Sequence, residues 1–365
     1  MKPQPRRRFI KSTAAALAVA PFISIEASAQ ETGQRKLGFA LCGLGSLSTN
    51  QIAPALQKAK YCRLAGIITG TPEKARAWKA KYKIPDKNIY NYETMAQMAD
   101  NPDIDVVYVV TPNALHAEHT IKSAKAGKHV LSEKPMEVSV KKCQNMIDAC
   151  KKAGRKLAIA YRCQFEAHHL ECMRIAREKE LGAIKIIEAG FGFRISDPKQ
   201  WRLRHNLAGG GALMDVGIYA LQATRFLTGE EPTILSAFET KTDPVKFKEV
   251  DESIVWQMKF PGGAIAYCST SYAVNGINRY TAYADKGWFG LDPAYSYDGL
   301  QGHRSDKKPI KFDEVDQFAL EMDDFAQCIL NNRESKVSGE EGLRDIRILM
   351  GVYDSIKSGK PVKLV

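Results

Sequence analysis

One short stretch limits the fold more than any other. The apolar run Leu37 to Cys42 passes directly into Gly43-Leu44-Gly45-Ser46-Leu47-Ser48, and a helical pattern follows from about residue 50. A short apolar run bounded by glycine reads as a fully buried strand. A strand entering a Gly-x-Gly turn and then a helix turns backbone N–H groups toward the helix N-terminus, where a pyrophosphate binds. Gly43 and Gly45 permit the tight turn and a close approach, with Leu44 between them. Ser48 stands where the fingerprint's last glycine would be and is small enough for helix–strand packing.

The alternation continues down the chain. Arg63 to Thr69, Val106 to Val110, His129 to Leu131 and Leu157 to Ala160 read as strands, and residues 50–60, 72–83, 114–126 and 139–153 as amphipathic helices. Apolar strands alternating with helices predict a parallel sheet covered on both faces. Asn101-Pro102-Asp103 and Ala126-Gly127-Lys128 punctuate the elements. From about residue 161 the pattern changes. A helix over 166–180 precedes a strand from Ile184 to Arg194, a loop rich in Asp, Pro, Trp and Arg, and a helix over 212–227. Ile254, Trp256, Met258 and Phe260 then share one strand face, and Pro261-Gly262-Gly263 turns into the run Ala264 to Tyr272. Helices over 315–331 and 340–357 end the chain. The fold class expected is α/β followed by α+β. Residues 30–160 form a Rossmann dinucleotide-binding domain, and residues 161–365 a second domain with a large, mostly antiparallel open sheet. About two domains suit a chain of 365 residues.

The first 29 residues read as a leader. Arg6-Arg7-Arg8-Phe9-Ile10-Lys11 precedes an apolar stretch from Ala14 to Ile25 and the small-x-small site Ala27-Ser28-Ala29. The paired arginines look like a twin-arginine signal, which implies the twin-arginine export machinery as partner and the periplasm as destination. The leader's charges sum to +4, so +8 of the chain's +12 belongs to the rest. The remaining lysines are scattered along helical faces, which argues against a nucleic-acid partner. No apolar stretch reaches the roughly 18 residues of a membrane span, so no stable membrane anchoring is expected. The eight cysteines form no Cys-x-x-Cys pair and no cluster with histidine, and no metal is expected. Cys143 and Cys150 lie about 10 Å apart on their helix, too far for a disulfide. A folded-state export route accommodates free thiols.

Two further signals carry chemistry. An NAD site normally ends its second strand in Asp or Glu, which holds the ribose 2′-hydroxyl. Here that place reads Thr69-Gly70-Thr71, with Lys74 just beyond and Glu73 the one acid nearby. A hydroxyl and a cation suit a 2′-phosphate, so NADP is the cofactor expected. Ser132-Glu133-Lys134-Pro135-Met136 then places a charged pair at the carboxyl end of a strand, at the cleft of a doubly wound sheet.

With Gly-Leu-Gly, Glu-Lys-Pro, Thr-Pro-Asn-Ala-Leu-His (111–116), Gln200-Trp201-Arg202-Leu203-Arg204 and the run from Leu207 to Tyr219, the chain resembles the Gfo/Idh/MocA oxidoreductase family. The resemblance is strongest to its glucose–fructose oxidoreductase branch, including the related aldose–aldose oxidoreductases, and spans essentially the whole chain after the leader. It implies an enzyme that oxidises an aldose to its lactone and passes the hydride to a second sugar through a retained NADP. Lys134 matches the family's lysine beside the nicotinamide, and Asp215 and Tyr219 match its Asp-x-Gly-Ile-Tyr segment. Gly43, Leu44, Gly45, Thr69, Lys74, Tyr92, Thr111, Asn113, His116, Glu133, Lys134 and Arg162 fall on cofactor-contacting positions, and Trp201 and Arg202 face the same region. Relatives pair their second-domain sheets face to face, so a homodimer is expected. The branch's long proline-rich arm is reduced here to Gln30 to Arg35, which points away from an arm-linked tetramer. An ordinary NAD(P)-dependent sugar or inositol dehydrogenase, or a redox-type glycosidase, are the alternatives.

Elementary chemistry points the same way. Asp215 and Tyr219 are four apart and share one face of a helix. Gly209-Gly210-Gly211 lets that helix start close to a cofactor. A phenol is a poor base at neutral pH, and a lysine beside it lowers its pKa. Tyr219 is therefore expected to exchange a proton with a sugar hydroxyl, Lys134 to tune it and Asp215 to orient the sugar or relay the proton.

Overall fold

The computed structural model describes residues 35–364; the expected leader, residues 1–29, lies outside the described residues. The chain first builds β1 (Leu37–Cys42), α1 (Ala53–Lys58), β2 (Cys62–Ile68), α2 (Pro72–Tyr82), β3 (Ile89–Tyr90), β4 (Val106–Val109), α3 (His116–Lys125), β5 (His129–Glu133), α4 (Val140–Lys152) and β6 (Leu157–Ala160). These strands form a parallel sheet in the order β3-β2-β1-β4-β5-β6. Every residue of β1 and β4 is buried, because helices cover both faces of the sheet. In this order the chain reverses direction between β1 and β4, and the cleft opens beyond their carboxyl ends.

The rest comprises α5 (Ala167–Arg177), β7 (Ile184–Gly192), α6 (His205–Ala208), α7 (Ile218–Thr228), β8 (Ile234–Thr240), β9 (Ser253–Lys259), β10 (Ile265–Ser271), β11 (Ile277–Ala284), β12 (Gly287–Leu291), β13 (Gly302–Arg304), α8 (Gln317–Leu330), α9 (Gly339–Ser358) and β14 (Val362–Lys363). The second sheet runs β13-β12-β11-β7-β10-β9-β8-β14 and is antiparallel except where β7 pairs with β10. Part of the segment 275–305, whose shape the sequence leaves open, is therefore strand: β11 and β12 continue the sheet beyond β7.

The two faces of that sheet differ. Ile254, Trp256, Met258 and Phe260 are buried in the core shared with Leu221 of α7 and Val352 of α9. Period-2 alternation identifies a buried face without saying what buries it, and here it is the chain's own helices. The open face carries Ile186, Phe238, Val255, Ile265, Tyr267, Tyr283 and Trp288, all exposed.

Among the described residues no helix is long and apolar enough to cross a membrane, and the eight cysteines are free and buried. Burial pushes the thiols of Cys42, Cys62, Cys143, Cys150, Cys172, Cys268 and Cys328 upward, so these behave as small apolar groups.

Candidate active site

The turn after β1 has the geometry its sequence demands. Gly43 sits at φ +99°, and a Cβ there would meet Val110 O at 2.8 Å. A Cβ on Gly45 would meet no protein atom, so the space beside it is open for a ligand. Ser48 Oγ donates to Gly43 O at 2.6 Å, which locks the turn against the following helix. Lys74 reaches back from α2 and donates to Leu44 O at 3.0 Å, placing its ammonium over the turn. Thr69 Oγ1 accepts from Thr71 N at 3.2 Å, while Glu73, the acid in question, is exposed and paired with Arg76. Tyr92 packs against Gly70 and stacks on His119, ring centroids 4.7 Å apart. A Gly-x-Gly turn, a hydroxyl and a cation, with the nearby carboxylate engaged elsewhere, fit a dinucleotide carrying a 2′-phosphate.

The loop after β4 is held by its own side chains. Thr111 Oγ1 and His119 Nδ1 lie 3.0 Å apart, and Asn113 donates to Ala208 O at 2.9 Å, tying the first sheet to α6. His116 is fully buried between carbonyls, 2.8 Å from Thr111 O and 3.0 Å from Pro135 O. It thereby clamps the end of β4 to the segment that carries Lys134. Burial lowers its pKa, and the carbonyls oppose that.

Lys134, at the end of β5, reaches into the second half of the chain. Its Nζ donates to Asp215 O at 2.7 Å, lies 3.5 Å from Asp215 Oδ1 and stands over the ring of Tyr219, 4.7 Å from the centroid. Asp215 Oδ2 accepts from Arg202 Nε and from the Tyr272 hydroxyl, each at 2.9 Å. Burial alone would raise this carboxyl's pKa. The guanidinium of Arg202, the ammonium of Lys134 and the Tyr272 hydroxyl outweigh it and hold the pKa at about 2. The guanidinium of Arg202 also stacks on Trp201, 4.7 Å from the ring centre.

Three expectations need correction here. Asp215 and Tyr219 do not lie on one continuous α-helix: residues Leu213–Gly217 form a π-turn that leads into α7. The wider turn alters the angular offset between the two side chains. Gly209-Gly210-Gly211 makes room for protein: a Cβ on Gly211 would strike Asp251 O at 2.0 Å, and one on Gly210 the Tyr353 hydroxyl at 2.0 Å. The phenol of Tyr219 is not brought down as expected. Packing among Phe191 and Tyr295 raises that phenol, and the cation opposing the rise is Arg162. Lys134 lies on the ring face and directs its hydrogen bonds to Asp215.

Arg162 is buried, donating to Gln317 Oε1 and Tyr295 O at 2.5 Å each, with its guanidinium against the rings of Tyr219 and Tyr297. Glu133 turns inward to Tyr108. Four residues of this neighbourhood escaped sequence reading: Tyr108, Tyr272, Tyr297 and Glu321. Tyr272 ends a strand and Glu321 lies in an amphipathic helix, where nothing in the periodicity separates a site residue from its neighbours. The arrangement supplies a fixed ammonium, an ionised carboxylate that orients it and a phenol, at the carboxyl ends of strands that flank a dinucleotide turn.

Residues 37–161 match the family described as Gfo/Idh/MocA oxidoreductases with an NAD-binding Rossmann fold, and residues 169–290 match the Gfo/Idh/MocA C-terminal domain. The chain is 31% identical over 335 residues to D-xylose 1-dehydrogenase [NADP(+)] of Haloarcula marismortui, covering 89% of this chain and 92% of that protein. It is 45% identical to the aldose-aldose oxidoreductase of Caulobacter crescentus, solved with glycerol, at a TM-score of 0.87 over 90% of this chain and 100% of that one. Levoglucosan dehydrogenase, solved with NADH and levoglucosan, shares the fold at 21% identity, with a TM-score of 0.77 over 90% of this chain and 99% of that one. The chain belongs to the Gfo/Idh/MocA oxidoreductase family.

Proposed function

We propose that this protein is an NADP-dependent sugar oxidoreductase that oxidises an aldose to its lactone and hands the hydride to a second sugar through cofactor it retains. The observation that carries this reading is Lys134 fixed on Asp215 and laid over Tyr219. The likeness to an aldose-aldose oxidoreductase supports the two-sugar cycle. Residues 30–160 hold the cofactor and residues 161–365 the sugar.

Gly43, Leu44 and Gly45 would hold the pyrophosphate, Thr69 and Lys74 the 2′-phosphate, and the region of Lys134 the nicotinamide. The cofactor, when bound, supplies hydride acceptance and return at that ring. The chain's part is to hold the sugar and move its proton. Lys134, oriented by Asp215, donates to the oxygen at C1 and stabilises negative charge as the O–H bond breaks. Asp215 stays ionised across the working pH range, so it orients the ammonium and does not carry the proton. The ring of Tyr219 lies against Lys134, and its phenolate is the form that takes that proton.

The D-xylose dehydrogenase relatives support a second reading, in which NADP exchanges freely after each turnover. Absorbance and fluorescence of the purified protein distinguish the two. Nicotinamide that copurifies, is reduced by an aldose and is reoxidised by a second sugar supports retention; protein that reduces only added NADP overturns it.

The leader motif supports export of the folded, loaded protein to the periplasm. Replacing Arg6 and Arg7 by Lys should strand it in the cytoplasm, and unchanged delivery would remove the twin-arginine assignment.

A further inference from the structure

Two buried carboxyl groups share one phenol behind Lys134. The hydroxyl of Tyr108, on β4, lies 2.8 Å from Glu133 Oε1 and 3.0 Å from Glu321 Oε1. Tyr108 is 0%, Glu133 7% and Glu321 2% exposed. A phenol has a single hydrogen to donate. It serves one carboxylate, and the other contact is a hydrogen bond only when that carboxyl group is protonated and donates to the phenol oxygen. Two ionised carboxylates bridged this closely would repel each other in a medium that screens them poorly. Glu321 Oε2 has no hydrogen-bond partner among the described residues, which makes a full charge on that group still more costly.

The other groups facing the pair are Lys134 at the end of β5, Arg162 and Cys163 in the turn after β6, Tyr219 on α7 and Tyr297 between β12 and β13. Burial pushes both carboxyls upward, Glu321 well above the usual carboxylate range, and the charge of Glu133 adds to that rise. Lys134 and Arg162 hold Glu133 partly back. The rise is the greater at Glu321, so a proton shared by the pair rests there first and Glu133 is the member left to accept another. Glu133 Oε2 also accepts from the main-chain N–H of Lys134, the next residue in the chain, at 3.2 Å.

We propose that Glu133 and Glu321 hold one proton between them through Tyr108, and that the pair stores the proton released from the first sugar until the second sugar is reduced. This rests on the two-sugar reading. Oxidation at C1 breaks the C1–H bond, whose electron pair leaves as hydride to the nicotinamide, and the O–H bond, whose proton goes to the protein. The second stroke returns both to a carbonyl carbon and its oxygen. Over the cycle no net proton is gained or lost. Between strokes the ionised carboxylate takes the proton, leaving both carboxyl groups neutral, and then gives it back. Glu133, Tyr108 and Glu321 are in this sense positioning residues for the proton.

Infrared spectra of the resting protein at pH 7 test the store without any sugar. A buried, protonated carboxyl C=O stretch is expected, lost in Glu321→Gln and shifted in Tyr108→Phe, which keeps both carboxyl groups. Absence of that band in the wild type, or its persistence unshifted in both variants, overturns the proposal. An indicator dye then follows proton release as an aldose reduces bound nicotinamide. No proton should appear in solution with the wild type, and one proton per hydride with Glu133→Gln, which removes the accepting carboxylate. A full proton released by the wild type overturns the store and leaves the two-sugar reading intact. Failure to reduce any nicotinamide counts against that reading instead, and the infrared result still decides the store.

Discussion

The ammonium of Lys134 donates to the main-chain oxygen of Asp215 at 2.7 Å and lies 3.5 Å from its carboxylate. One contact is insensitive to protonation and the other is not. The lysine is therefore placed by the backbone and its charge balanced by the side chain. Arg202 and Tyr272 hold the opposite oxygen of that carboxylate, so the ammonium keeps one direction.

That balance should be visible in stability against pH. The folded pKa of Asp215, about 2, is depressed below its ordinary 3.8. A depressed carboxyl contributes stability that is present above the unfolded pKa and is lost as pH falls through the folded one. Between pH 4 and pH 2 the wild type should therefore lose about 2 kcal/mol from this group. Asp215→Asn should lack that component. Urea denaturation across this range measures it, and equal slopes for both proteins would show that Asp215 is not held down.

The raised phenol of Tyr219 predicts a kinetic signature. If its deprotonated form takes the sugar's proton, the rate of nicotinamide reduction should climb with pH through neutrality without levelling off. Tyr219→Phe should slow single-turnover reduction by about 10²–10⁴-fold, the usual contribution of a positioned acid or base. Lys134→Met should slow it comparably, and the double variant should be far from additive because the groups act as a unit. Near wild-type reduction by Tyr219→Phe, with none by Lys134→Met, would make Lys134 the proton acceptor and Tyr219 a wall of the pocket.

Cofactor choice rests on the end of β2. Thr69→Asp puts a carboxylate where a 2′-phosphate is expected, and Lys74→Ala removes the cation over the turn. A lost charge-assisted contact is worth roughly 1.5–3 kcal/mol, so either variant should bind NADP more than about tenfold more weakly. Thr69→Asp should also gain on NAD. Titration of cofactor-free protein with both nucleotides gives the ratio, and equal wild-type affinities would remove the assignment.

The open face of the second sheet predicts assembly. Ile186, Val255, Ile265, Tyr267 and Trp288 expose apolar surface on one face, and a second copy placed by a two-fold axis would cover it. Tyr267→Lys combined with Ile265→Lys should yield monomer in light scattering. Substitutions on the opposite face, such as Trp256→Ala, should unfold the domain instead, because that face is its core.

The sequence alone determined five of the six strands of the first sheet, missing the two-residue β3, together with the glycine turn, Thr69 with Lys74, and Lys134 at a strand end. Each is written locally, in periodicity, in a turn that needs glycine, or in spacing along one strand–helix unit. Lys134, Asp215 and Tyr219 were legible as a set through the family resemblance, but their mutual geometry was not. The tertiary structure decided that Lys134 binds Asp215 and only covers Tyr219, that Arg162 faces the phenol, and that a π-turn breaks the assumed helix register. It decided which face of the second sheet is core and which is open. It also brought Glu321, far along the chain, to within a hydrogen bond of Tyr108. Charge-to-charge geometry and burial depend on segments distant in sequence, and no local pattern encodes which of them meet.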